Sequence, residues 1–428
     1  MKVLLIGDIG GFPQGYAHIK PPVNYTHIGD EAMMLATYHW YTHSFPQFAL
    51  TTLSWKHIYR LPSLRTQYHF VWPTEKLINR LYFFPFLIKL ILWKHLQINH
   101  FSSKEYKFVK LIDLQDVIHF TGGGNLTSLY PSWLYYSLFV ISAGRILGKK
   151  VVLASQTVGP FKPIDALTFW LIVRAAHYVG LRKPLNLQKS LFSRWFPNMK
   201  PMLDSAYSYT PTKRGQSSPI FRIGISIHSW KNFNDDYIVR LATSIMKSIS
   251  VTEHCEVIYI PHILSSNKDM DDYRLYVKMK QKLPKNFPFH YGSVSKNREK
   301  SVAEVKSLTS SCDLVLTTRY HGVIFALSTD VPVIALSYDS YYTAKHRGAL
   351  SFIYGKNLSH YLIRLKKNTP YDDIMPKITC VLKNIRKEKE ILRRYNQNSS
   401  TPSLKNLTIE VQPNVISSRF MQPAIRTI

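Results

Sequence analysis

"DLVLTTRYHGVIFALSTDVPVIAL", residues 313–336, joins two apolar runs through Thr317, Thr318, Arg319, Tyr320, His321 and Gly322. The first run reads as a strand that ends at the two threonines. Its end delivers a fixed cation and a titratable imidazole to the seam between two buried segments. Such a seam is where an α/β sheet places its chemistry, because ligands sit just beyond the carboxyl ends of the strands.

The same alternation extends in both directions from this stretch. Upstream of a linker-like segment, "YTPTKRGQSSPI" (209–220), strand signals occur at 2–7, 48–54, 116–120 and 150–160, with helical signals between them. The alternation restarts at "FRIGISIH" (221–228) and continues through "EVIYIPH" (256–262) to the opening stretch. This predicts an α/β fold of two Rossmann-like domains facing across a cleft, at 1–210 and 221–398, with an irregular tail at 399–428. A chain of 428 residues is also longer than one core normally organises.

Composition narrows the partners. Lys and Arg number 55 against 26 Asp and Glu, a formal charge of +29, which predicts attraction to something anionic. No zinc-ligand spacing, RNA-binding motif or basic-leucine heptad accompanies the charge, so nucleic acid ranks below a membrane surface or an anionic small molecule. Three widely spaced cysteines, Cys255, Cys312 and Cys380, suit a reducing compartment, and "MKVLLIGDIGGF" reads as a first strand rather than a signal peptide. The expected location is the cytoplasm. The segment "LYFFPFLIKLILWKHLQI" (81–98) is interrupted by Pro85, Lys89 and Lys94 and is too short to span a bilayer. It reads either as a buried or domain-capping helix or as an amphipathic helix lying in the membrane interface.

The strand ends give the candidate site. Asp8 follows the first strand, and Asp30 stands at a predicted helix start, where it can serve as N-cap. Gly122, Gly123, Gly124 and Asn125 follow the strand at 116–120. Three glycines exceed what a turn requires and predict close approach of a ligand or of the other domain. They form neither a Walker A loop nor a dinucleotide fingerprint. In the second half His228, His262 and His321 sit at strand ends, although most histidines in a chain with 17 are structural. Arg319 and Lys345 suit a clamp for a phosphate or carboxylate. The positive charge beside His321 would disfavour its imidazolium and keep it available as a base.

These residues resemble those of the polysaccharide pyruvyl transferases. The strings are "NYTHIGDEAM", "FTGGGNL", "SQTVGPF", "GLRKPLNLQKSL", "LDSAYS", "YIPHILSSNKDMDD" and "TTRYHGVIFALSTDVPVIALSYD", in that order over roughly residues 1–355. The resemblance implies a glycosyltransferase-B-like fold. It also implies transfer of a pyruvyl group from phosphoenolpyruvate to a pair of sugar hydroxyls, giving a cyclic ketal, with no cofactor or metal demanded. It assigns Arg319, His321 and Gly322 to the donor site, with Lys345 and Arg182 beside them; His262, at a strand end of the same sheet, joins them as a donor-site candidate, and His321 is our candidate acid/base group. Asp8, Asp30 and Gly122 to Asn125 would face the acceptor, a saccharide that is lipid-linked if the enzyme works at a membrane. Lys183-Pro184 replaces the acidic residue usual after the arginine, and Tyr320 stands where Leu is common. Two rival readings stand beside this one: a nucleotide-sugar glycosyltransferase of the same architecture, and a non-catalytic family member that binds glycan or membrane in an exopolysaccharide assembly complex.

Overall fold

The computed structural model describes residues 1–7, 25–45, 47–53, 66–69, 80–182, 196–210, 219–231, 233–252, 255–268, 271–366, 371–398 and 403–407. Asp8, Lys183, Pro184 and residues 211–218 of the linker lie outside them.

The first half contains β1 (Lys2–Ile6), β2 (Tyr25–His27), α1 (Ile28–Ser44), β3 (Ala49–Leu53) and β4 (Thr66–His69). It continues with α2 (Phe83–Leu96), α3 (Ser103–Asp113), β5 (Val117–Phe120), β6 (Gly123–Leu126) and α4 (Pro131–Ile146). β7 (Lys150–Val158), α5 (Pro163–Ala175), β8 (Tyr178–Leu181) and β9 (Met199–Pro201) complete it. The sheet order is β4-β3-β1-β5-β7-β8-β9, all parallel, with β6 pairing alongside β7. Strands such as "VIHF" are buried throughout because helices cover both faces. Val3 and Leu5 point into the core shared with α1, whereas Leu4 and Ile6 pack with Phe86 of α2, Phe108 of α3, Phe139 of α4 and Ile172 of α5.

The second half contains β10 (Phe221–Ser226), α6 (Asp235–Thr252), β11 (Cys255–Tyr259), β12 (Ile263–Ser265), α7 (Tyr273–Lys282) and β13 (Phe289–Tyr291). α8 (Arg298–Ser310), β14 (Leu314–Thr317), α9 (Tyr320–Ser328), β15 (Val333–Ser337), α10 (Ser340–Tyr354) and β16 (Leu362–Arg364) follow. Its sheet is parallel in the order β13-β11-β10-β14-β15-β16. The order reverses between β1 and β5 in the first sheet and between β10 and β14 in the second. At such a point the connections diverge to opposite faces and leave a crevice. The opening stretch, β14–α9–β15, lies at the second of these crevices.

The halves are joined at the crevices themselves. β2 pairs antiparallel with β12, matching His27 to Ile263, and the Ile28 N–H donates to the His262 carbonyl at 3.0 Å. α1 packs on α8, where Arg298 Nε donates to Glu31 Oε1 at 2.8 Å. The buried ammonium of Lys306 donates to the carbonyls of Ala206, Tyr207 and Tyr209 just before the linker.

Two expectations change. Asp30 is not the N-cap of α1; His27 is, with φ −101° and ψ 97°. Pairing with β12 holds His27 extended, so the helix starts at Ile28 and Asp30 falls within its first turn. The 81–98 segment is not a buried helix. Phe83, Phe86 and Leu90 are buried, but Leu81, Phe84, Ile88, Ile91, Leu96 and Ile98 are exposed. Among the described residues, no helix is long and apolar enough to cross a membrane.

Candidate active site

A tight strand-to-helix junction fixes His321. Thr317 Oγ1 donates to the Ser226 carbonyl at 2.8 Å and accepts from the Arg319 N–H at 2.9 Å. The chain therefore turns out of β14 immediately, and His321 lands in the first turn of α9 with 8% of its surface exposed. Gly322 is required there, because a Cβ would lie 2.5 Å from Thr317 Oγ1. A Cβ at Gly29 would likewise overlap the His321 ring. The start of α1 is therefore pressed against the imidazole of the opposite half.

Three charged groups surround this imidazole. Arg182, at the end of β8, pairs with Asp204 at 2.7 Å and lies over the Tyr320 ring, 5.0 Å from its centroid. The same Asp204 oxygen is 3.8 Å from His321 Nε2. Lys345, one turn into α10, contacts Tyr341 Oη at 3.2 Å, and its Nζ lies 5.3 Å from the Tyr320 centroid. Burial, aided by Arg182, lowers the Lys345 pKa to about 8. Burial also holds His321 well below the usual imidazole range, followed by the charges of Arg182, His27, Lys345 and His262. The resting ring is neutral.

The neutral imidazole was expected, but Arg319 is not its cause. Arg319 turns away to pair with the buried Asp272, whose other oxygen accepts the N–H groups of His262 and Ile263 at 2.8 and 3.0 Å. Its charge bears instead on His228 and His262, both of which burial and Arg319 hold well below the usual range. His228 is structural, bonded to Thr318 and Tyr342. His262 is buried against Phe325, and its two ring nitrogens have no hydrogen-bond partner among the described residues.

The glycine run meets this cluster from the first half. A Cβ on Gly122 would lie 2.5 Å from Arg182 Nη2, and one on Gly124 would lie 2.7 Å from Lys345 Nζ. Gly123 has more room, its nearest neighbour being Asn125 at 3.6 Å. Asp30 contributes through His27, whose Nδ1 lies 2.7 Å from its carboxylate. His321, Arg182, Lys345, Asp30, Gly122 and Gly124 thus converge, while Arg319 stands behind them as part of the frame. Asp204, Asp272 and His27 complete the site and were not singled out from sequence. The strand-end rule would have found Asp204, three residues after β9.

Only His27, Asp30 and His321 among the described residues are grouped as a metal site would require, with ligand-type atoms within 4.8 Å. Two imidazoles and one carboxylate suit a transition metal. The positive charges of Lys345 and Arg182, which already bear on His321, oppose a cation there and favour an anion.

This architecture is that of the GT-B glycosyltransferases and sugar-nucleotide epimerases. Similar folds are the UDP-GlcNAc 2-epimerase of Neisseria meningitidis bound to UDP-GlcNAc (10% identity, 96% of this chain and 98% of that one, TM-score 0.55) and the Anabaena protein HepE in complex with UDP (12%, 96% and 98%, 0.52). The family is given by the sequence itself: residues 27–340 match the profile of the polysaccharide pyruvyl transferases, and the chain belongs to that family of transferases. No curated protein matches the chain.

Proposed function

We propose that the protein transfers the pyruvyl group of phosphoenolpyruvate to two hydroxyls of a saccharide, forming a pyruvate ketal during glycan biosynthesis. One observation carries this reading: a neutral, buried His321 is enclosed by Arg182 from one half and Lys345 from the other. The donor has a carboxylate and a phosphate, and two cations beside one imidazole, one from each half, suit those two charges. Arg319, Gly322 and His262 form the frame behind them, and their part in donor binding is to hold this geometry.

Neutral His321 accepts the proton of the first sugar hydroxyl as its oxygen adds to C2 of the donor. In the same addition His321, once protonated and facing a bound anion, hands that proton to C3, which becomes the methyl group, so that no carbanion forms there. The C2–O bond to phosphate then breaks, and the second hydroxyl adds to C2 as its proton passes to His321, neutral again, and on to the departing phosphate. The net result is one ketal and one phosphate per donor. Cationic side chains offset the developing negative charge, a role that calls for no cofactor. Asp8, Asp30 and the Gly122 to Asn125 loop are assigned to the acceptor, which we take to be a lipid-linked saccharide presented at the cytoplasmic face of a membrane.

The test is phosphate release, with NMR of the product, for phosphoenolpyruvate and a panel of saccharides. His321→Ala should lower turnover by about a hundred- to ten-thousand-fold while leaving thermal unfolding nearly unchanged. Stabilisation of the protein by a nucleotide sugar but not by phosphoenolpyruvate would overturn the reading.

A further inference from the structure

The helical layer formed by α2 to α5 has an unusual outer surface. On α2, Leu81 just ahead of the helix, Phe84, Ile88 and Ile91 follow one another at helical spacing with relative exposures of 78, 70, 59 and 47%. Leu96 and Ile98 extend the row past the helix end. α5 adds Ile164, Leu167 and Trp170, also exposed and also on one face. α3 packs directly beside α2, through Phe86 on Phe108 and Trp93 on Tyr106. Its outward face carries Lys104, Lys107 and Lys110.

The charges in this layer are sorted by sign. Residues 81–175 contain ten Lys and Arg against four acids, Glu105, Asp113, Asp116 and Asp165. Glu105 is buried, accepting from Tyr82 Oη and the Ser102 N–H. Asp165 is buried under Tyr135 Oη, Asp113 pairs with Lys149, and Asp116 accepts the Lys2 N–H. The lysine row and Lys94 remain on the outside. Neither α2 nor the run that follows it to residue 98 contains an acidic residue.

An exposed apolar row beside a basic row, with every nearby carboxylate turned inward or paired, is complementary to an anionic lipid bilayer. The apolar side chains enter the acyl boundary while the lysines remain at the phosphate level. A protein partner of ordinary composition would need acids to meet the lysines and apolar groups in the adjacent strip. A second copy would place lysine row against lysine row or leave it unmatched. We infer that α2 and α3, with the exposed face of α5 at the flank, dock the protein on an anionic membrane surface. This extends the proposed function, on which its purpose rests, but its test needs no turnover.

The experiment is flotation of the full chain with vesicles of phosphatidylglycerol and phosphatidylcholine, and with phosphatidylcholine alone. At low salt we expect most of the protein on the anionic vesicles and at least tenfold less on the neutral ones. Binding should weaken as salt shortens the screening length. The combined change Lys104→Glu, Lys107→Glu and Lys110→Glu should lower anionic binding at least tenfold. Phe84→Glu with Ile88→Glu should do the same, with thermal unfolding at or above that of the parent, since both positions face solvent. Absence of flotation at low salt overturns the inference, as does flotation that both variants retain. So does a concentration-dependent dimer that Phe84→Glu dissociates, which would assign the face to a second copy. Failure here with phosphate release intact removes the membrane and leaves the chemistry standing.

Discussion

The Oδ2 atom of Asp204 lies 3.8 Å from Nε2 of His321 while pairing with Arg182 at 2.7 Å. One carboxylate from the first half thus links the proposed acid/base group of the second half to the cation that flanks it. Asp204 also accepts from the Ala206 N–H, which fixes its position. Asp204→Asn preserves shape and removes charge, leaving Arg182 without its counter-ion. We expect kcat/KM to fall at least a hundredfold, with KM for phosphoenolpyruvate raised. Near-parental kinetics in steady-state assays would reduce Asp204 to a structural cap.

Lys345 makes anion binding depend on pH. Its pKa of about 8 in the free protein means that the ammonium is present below that value and lost above it. A bound anion favours the ammonium, so affinity for phosphoenolpyruvate should be steady from pH 6 to 7.5. It should then weaken toward tenfold per pH unit above about 8. Lys345→Met should bind weakly and without that slope. Calorimetric titrations at several pH values check this, and an unchanged slope in the variant would assign the effect elsewhere.

Gly29 tests the contact between halves. Alanine is a better helix residue than glycine by roughly 1 kcal/mol, so propensity alone predicts a stabilised α1. A Cβ there would overlap the His321 ring. Gly29→Ala should therefore cost most of the activity while changing the unfolding temperature little. Gly124→Ala, which crowds Lys345 Nζ, should act chiefly on donor KM. Full activity in both would mean that the cleft opens wider in turnover than in this structure.

Arg319 makes a different prediction. Its side chain is 12% exposed and pairs with the buried Asp272, which also accepts two backbone N–H groups. Breaking a buried pair from one side costs about 3–5 kcal/mol. Asp272→Ala should lower stability by that order in denaturant unfolding and also impair catalysis, whereas His321→Ala should impair catalysis alone. A loss below ~1 kcal/mol would show that Arg319 readily finds other partners.

The alternation of apolar runs made both sheets legible, because parallel strands covered on two faces leave continuous apolar segments. The strand-end rule then pointed to His321, the glycine run and Lys345, and the family resemblance added Arg182. Less legible was which cation faces the ring. Arg319 and His321 are two residues apart, yet their side chains part company because Asp272, 47 positions upstream, draws the arginine away. β2 and β12 were missed for a related reason. Three-residue strands carry no period, and their pairing is specified by each other rather than by local sequence. The 81–98 segment looked ambiguous because its buried face and its exposed face are both apolar.

The pairing of β2 with β12 has a consequence for how such an enzyme changes its substrate. The start of α1, which presses on the imidazole, takes its conformation from a strand encoded some 240 residues later. A first half transplanted onto another member's second half keeps its loops but borrows the ruler that positions them. Exchange of acceptor preference between relatives should therefore succeed when β12 travels with β2, and fail when the cut falls at the linker.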